Sequence, residues 1–96
     1  MAQIPTRSLL RSGNLSRLRL TAGQRLVLLV LVDHADGDGI SYPAERTIAL
    51  ESGMQRSAVQ KQIPALLHRG VVQLIEKGGP RRSARYRVAP ELWTSV

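Results

Sequence analysis

The sequence predicts a small, mostly helical α+β fold, and three observations carry the prediction. A helix-length stretch with a seven-residue apolar centre, residues 22–35 (AGQRLVLLVLVDHA), follows a good helix-capping residue, Thr21. Residues 47–69 (TIALESGMQRSAVQKQIPALLHR) hold two stretches of helical period broken by Gly53. From Val71 to Val88 the pattern changes to that of two strands around a Gly-Gly-Pro turn. The expected architecture is a three-helix core with a β-hairpin appended, preceded by an N-terminal arm or an extra helix.

Length and composition narrow the function classes. A chain of 96 residues has room for one domain around one core. With no cysteine there is neither a disulfide framework nor a thiolate metal site, which suits a reducing cytosol. The formal net charge of +7 calls for a polyanionic partner, either nucleic acid or an acidic membrane surface. Aromatic residues are 3 % of the chain and Phe is absent, which argues against reading single strands or RNA by stacking. The longest apolar run, 26–32, is far too short to span a bilayer, and of the two polyanions nucleic acid rather than membrane is the expected partner. Two histidines, no cysteine and no carboxylate pair outside a turn leave no catalytic set. Neither an enzyme nor a cofactor is expected.

Residues 1–20 contain Arg7, Arg11, Arg17 and Arg19 and no acid, with Leu9, Leu10, Leu15, Leu18 and Leu20 between them. Such a composition also marks organelle transit peptides, but cleavage would leave a very small mature protein. The preferred reading is a basic arm or short helix whose leucines cover the domain while its arginines face solvent or phosphates. The helix after Thr21 has no polar face through 26–32, so it should be buried on every side. One side would meet the helix pair. The others need the arm, the C-terminal tail or a second subunit. Val27, Val30 and Val32 would tolerate a strand, but length and capping favour helix.

The cluster Asp33-His34-Ala35-Asp36-Gly37-Asp38-Gly39 ends that helix. His34, Asp36, Asp38, Gly39 and Glu45 fall at calcium-loop spacing, with His in place of the first acid. Calcium prefers a carboxylate there, and Pro43 interrupts the loop. The expectation is therefore side-chain-to-backbone turns at Asp36 and Asp38, leading into a short strand from Gly39 to Tyr42, with no metal. His34 is expected to be partly exposed near the helix end.

In 47–69, Ile48, Ala49 and Leu50 lie on a short helix opened by Pro43 and Glu45, and Gly53 supplies its left-handed end. Val59, Ile63, Leu66 and Leu67 then form one apolar stripe at i, i+4, i+7 and i+8. Opposite the stripe, at about 100° per residue, Ser57 and Lys61 centre a polar face flanked by Gln60. Gln55 and Arg56 stand at its N-terminal end. A short helix, a glycine turn and a helix bearing these side chains form a helix-turn-helix. Pro64 departs from the pattern. It removes the hydrogen bond to the Gln60 carbonyl and clashes with it, at about 3 kcal/mol. The helix should kink or restart at Ile63–Pro64.

Gly70 closes this helix. Residues 71–77 and 84–88 read as the strands of a hairpin joined through 78–83. Arg81 and Arg82 occupy its tip, and Arg85 and Arg87 share one face of the return strand. With Glu76 as the hairpin's only acid, four arginines cannot all be paired within it and are expected on phosphates or in a minor groove. The bland alternative is a solvated basic hairpin. Leu92 and Trp93 in the tail are expected to dock on the core or on a partner chain.

In order, the chain shows an apolar helix ending in Asp33-His34-Ala35, a short strand before Tyr42-Pro43, and Thr47-Ile48-Ala49 followed by Gly53. Val59 and Ile63, Leu66 with Arg69-Gly70-Val71, and a hairpin closing on Tyr86-Arg87-Val88 complete the set. Together these resemble the winged helix-turn-helix domains of phage and plasmid replication initiators and of small bacterial regulators. One departure is Gln55, where such domains usually place Ser or Thr as the helix cap.

The resemblance implies a cytoplasmic, sequence-recognising protein of bacterial or phage origin, often dimeric. It suggests a basic arm over 1–20, a winged helix-turn-helix domain over 21–90 and a tail over 91–96. The expected partner is double-stranded DNA. Arg56, Gln60 and Lys61 would read base edges, since Arg and Lys match guanine and Gln matches adenine, while Gln55 and Ser57 would bond bases or phosphates. Arg81, Arg82, Arg85 and Arg87 would hold the backbone or minor groove. The leading expectation is a small dimeric transcriptional regulator. A replication or origin-binding accessory protein is a second, and a winged helix that docks only an acidic protein is a third.

Overall fold

The computed structural model describes residues 6–11 and 13–88. Two short helices, α1 (Thr6–Arg11) and α2 (Asn14–Leu18), precede the central helix α3 (Ala22–His34). Then follow strand β1 (Ile40–Ser41), helices α4 (Glu45–Ser52) and α5 (Arg56–His68), and the strands β2 (Val72–Glu76) and β3 (Arg85–Val88). This is the mostly helical α+β architecture the sequence predicts. The tail with Leu92 and Trp93 and the side chain of Arg7 lie outside the described residues.

α3 starts at a reciprocal cap. The Thr21 hydroxyl accepts from the Gln24 backbone N–H at 3.2 Å, and the Gln24 side chain accepts from Thr21 N–H at 2.9 Å. The helix packs on α1, α4, α5, β1 and β3. Val27, Leu28, Leu31 and Val32 are fully buried, against Ile48 of α4, Val59 and Leu66 of α5, and Val88 of β3. Each such side chain contributes about 1.5–3 kcal/mol relative to exposure. Within the described residues of the single chain, one side of the helix stays open. Leu26 is 42 % exposed and Leu29 only half-buried, because the neighbouring elements do not close around that side.

Thr6–Arg11 and Asn14–Leu18 are helices, the second of the two forms expected of this stretch. Leu9 is fully buried in the common core, and Leu20 nearly so, while Leu10 points away from it. Arg19 takes a left-handed backbone conformation (φ 53°) where α2 turns into α3. The Arg69 guanidinium, just past the end of α5, donates to the backbone carbonyls of Leu18 and Arg19 and ties this turn to the core.

Asp36 forms the expected turn. Its carboxylate accepts from the N–H groups of Asp38 (2.9 Å) and Ile40 (3.0 Å), and the Asp38 contribution there comes from its backbone. α4 begins at Ala44, which has no side-chain cap. It ends at Gly53 (φ 74°), where Gly53 N–H reaches Leu50 O and Met54 N–H reaches Ala49 O. This paired closure requires the left-handed residue that glycine supplies at least cost. Within α4 only Ile48 and Ala49 are buried; Leu50 is 81 % exposed.

α5 buries Val59, Ile63 and Leu66, with Leu67 half-buried, as its period predicts. It does not restart at the proline: one α-helix runs through Pro64. Pro64 and Gln60 are both exposed, so water can satisfy the carbonyl that proline leaves without a donor.

The three strands form an antiparallel sheet in the order β1-β3-β2. The return strand is thus central, with Ile40 opposite Arg87 and Ser41 opposite Tyr86 on one side, and Val72 opposite Val88 on the other. The strands are shorter than their sequence patterns. Register shifts between Leu74 and Glu76, and the tip closes at a Gly79–Arg82 bridge. Such a bulge bends and twists a hairpin.

Candidate nucleic-acid interface

Every side chain expected on the reading face of α5 is exposed: Gln55, Arg56, Ser57, Gln60 and Lys61. Gln55 occupies the N-cap position with an extended backbone (φ −73°, ψ 153°) and makes no side-chain cap bond. Its side chain therefore satisfies none of the first-turn N–H groups of α5, while its backbone carbonyl accepts from Ala58 N–H at 3.0 Å and Val59 N–H at 3.1 Å.

Between the N-terminal ends of α4 and α5 and the wing lies an open cleft of about 700 Å³. Arg56 lines one wall, Arg46 of α4 another, and Arg81 and Arg82 the wing side. Arg46 escaped the sequence reading. Its signal was its place in the first turn of the leading helix, beside the residues that open it. Gln55, Ser57, Gln60, Lys61, Arg85 and Arg87 are not in the walls.

The wing arginines are more engaged than composition suggested. Arg82 bonds the Glu76 carboxylate at 2.7 Å, and Arg85 approaches its other oxygen at 3.9 Å. Arg85 also lies over the Tyr42 ring, 4.9 Å from the centroid. Arg87 donates to the Gln73 side chain at 3.3 Å, at the base of the sheet rather than with the tip. Arg81 is exposed with no side-chain partner among the described residues. One glutamate thus serves two arginines. Ion pairs this exposed are weak and readily exchanged for phosphate.

Glu45, at the start of α4, is the acid within the cleft wall. Its Oε1 accepts from Arg56 Nη2 at 3.3 Å and from Gln60 Nε2 at 3.1 Å. The phenol of Tyr86, beneath the cleft, is raised above its ordinary value near 10, first by burial and second by the Glu45 carboxylate.

The residues at calcium-loop spacing are not gathered. Asp36 bonds backbone and Glu45 bonds α5. A different trio, Asp33, His34 and Glu51, brings one ligand atom from each within 4.8 Å of the others. Within it, His34 Nε2 and Glu51 Oε1 are hydrogen-bonded at 2.8 Å and join the ends of α3 and α4. No helix among the described residues is long and apolar enough to cross a membrane.

Two helices meeting at a glycine turn, with a bulged, arginine-tipped hairpin beside the second of them, define a winged helix-turn-helix domain. A family model described as a helix-turn-helix domain matches residues 18–70, more than half of the chain, and the chain belongs to that family. Two solved structures share its fold. One is the transcriptional regulator PA3341, with 27 % identity and a TM-score of 0.58 over 80 % of this chain and 53 % of that one. The other is a MarR-family transcriptional regulator from Silicibacter pomeroyi, with 16 % identity and a TM-score of 0.59 over 90 % of this chain and 52 % of that one. The chain spans about half the length of each. No curated protein matches it.

Proposed function

We propose that this domain binds double-stranded DNA and serves as a transcriptional regulator. One observation carries the reading. Arg56 on α5 and Arg81 and Arg82 on the wing tip line a single open cleft, so two elements present cations to one polyanion from different directions. The +7 charge and membership of the helix-turn-helix family support it.

In this reading the first turns of α5 enter the major groove. Arg56, Gln60 and Lys61 contact base edges, with Gln55 and Ser57 on bases or flanking phosphates. Arg46, Arg81 and Arg82 neutralise backbone phosphates, and Arg85 supports the wing. Arg87, held at the sheet base, is left out of the contact set. The regulator acts as two copies on a two-fold site, since paired recognition helices read paired half-sites.

Hydroxyl-radical footprinting of the purified chain on duplex flanking its own gene tests the proposal. Protection of two half-sites about one helical turn apart is expected. Protection of one segment would refute the dimer. No protection at any site would refute regulation through adjacent DNA.

A further inference from the structure

Glu45 contradicts the purpose of the surface it occupies. A carboxylate in the wall of a phosphate-binding cleft repels the DNA backbone. Yet it is the group on which two of the proposed reading side chains, Arg56 and Gln60, converge. Arg56 and Gln60 lie four residues apart, on one face of α5, and both donate to the same carboxylate oxygen. The acid comes from a different helix, at the first turn of α4.

We infer that Glu45 is a specificity-determining residue: through one oxygen it orients Arg56 and Gln60 as a single reading unit. The inference rests on the DNA-binding reading above.

The chemistry leaves both readers free to act. A guanidinium has five N–H donors, so a bond from Nη2 to Glu45 leaves others for guanine O6 and N7. The Gln60 amide has two N–H donors and one carbonyl. A carboxylate accepts only from the nitrogen, so the bond to Glu45 decides which way the amide faces. The second N–H and the carbonyl then address adenine N7 and N6 in the required order. Holding two flexible side chains before contact reduces the ordering cost of the specific complex. The negative charge penalises complexes in which no base pairs with the unit. Glu45 therefore widens the gap between right and wrong sequences from both ends.

The test compares the whole chain with Glu45→Ala and Glu45→Gln. The probes are a duplex of about 20 base pairs, two helical turns, selected by the wild type from a random library, and the unselected library itself. Thermal melts establish that each variant is folded. The expected result for Glu45→Ala is about a tenfold smaller ratio of selected to random affinity, with random-library affinity unchanged or increased. Glu45→Gln, which keeps a hydrogen-bond acceptor, should lose less of the ratio. In the free protein, the Gln60 side-chain NH₂ resonances should move on Glu45→Ala.

A folded Glu45→Ala variant with the wild-type ratio overturns the inference and leaves the DNA reading standing. An equal loss on both probes also overturns it, since that pattern marks a merely structural residue. If the wild type enriches no sequence from the library, the sequence-reading assignment fails and this inference fails with it.

Discussion

Arg85 lies over the ring of Tyr42, with its guanidinium carbon 4.9 Å from the ring centroid. The contact joins the wing's return strand to the segment before α4 and so sets the wing against the helix pair. Both side chains are about half exposed, so the interaction is worth about 0.5–1 kcal/mol. Tyr42→Leu should cost no more than that in urea denaturation, yet speed amide hydrogen exchange at Arg82, whose N–H closes the tip. Unchanged exchange would show that the hairpin holds its position without this contact.

Among the described side chains of α1, Leu9 joins the folded core. Leu9 is fully buried. Leu9→Ala should cost about 2–5 kcal/mol of unfolding free energy, as truncation of a core leucine does. A loss within about 0.5 kcal/mol, typical of surface positions, would place the first helix outside the cooperative unit.

Gly53 isolates backbone conformation from packing. Its φ is 74°, and a Cβ built there meets nothing within 4 Å. Gly53→Ala should therefore destabilise by about 1–2 kcal/mol, the left-handed penalty alone, with Gly53→Asn losing less. Equal stability of the Ala and Asn variants in denaturant titrations would contradict this.

Pro64 interrupts hydrogen bonding within a helix that nevertheless continues through it. Pro64→Ala restores the donor to the Gln60 carbonyl and should raise stability by up to about 3 kcal/mol. Because Gln60 is also a proposed reader, the variant should change affinity for a selected duplex. If neither quantity moves, the strain argument fails.

The cations should divide by role. Arg56→Ala should reduce discrimination between selected and random duplexes by about 1–3 kcal/mol. Arg81→Ala should weaken all sequences alike and lower the salt slope by about one. Equal effects of both substitutions on both measures would remove the distinction between reading helix and gripping wing.

Much of this was legible in local sequence. Thr21 as a cap, Gly53 as a helix end, and the stripe Val59–Ile63–Leu66 are each encoded locally, and short-range patterns report such features. The exposed positions Arg56, Ser57, Gln60 and Lys61 follow from the same period. Partners brought together by the turn between helices were not legible. Glu45 reaches Arg56 and Gln60 from another helix, and His34 finds Glu51 the same way. Counting acids within the hairpin found Glu76 but did not show one carboxylate serving both Arg82 and Arg85. The apolar run 26–32 implied uniform burial. Burial depends instead on how many neighbours a small domain can place around one helix, and Leu26 is left partly outside.

The central claim is that α5 and the wing together grip duplex DNA. Its most direct test is a fluorescence anisotropy titration of a labelled random-sequence duplex with the purified chain, begun at low ionic strength and repeated as salt is raised. The account predicts binding at low salt, with log affinity falling linearly and steeply against log salt concentration as arginine–phosphate contacts are screened. No binding to the duplex at low ionic strength would contradict it.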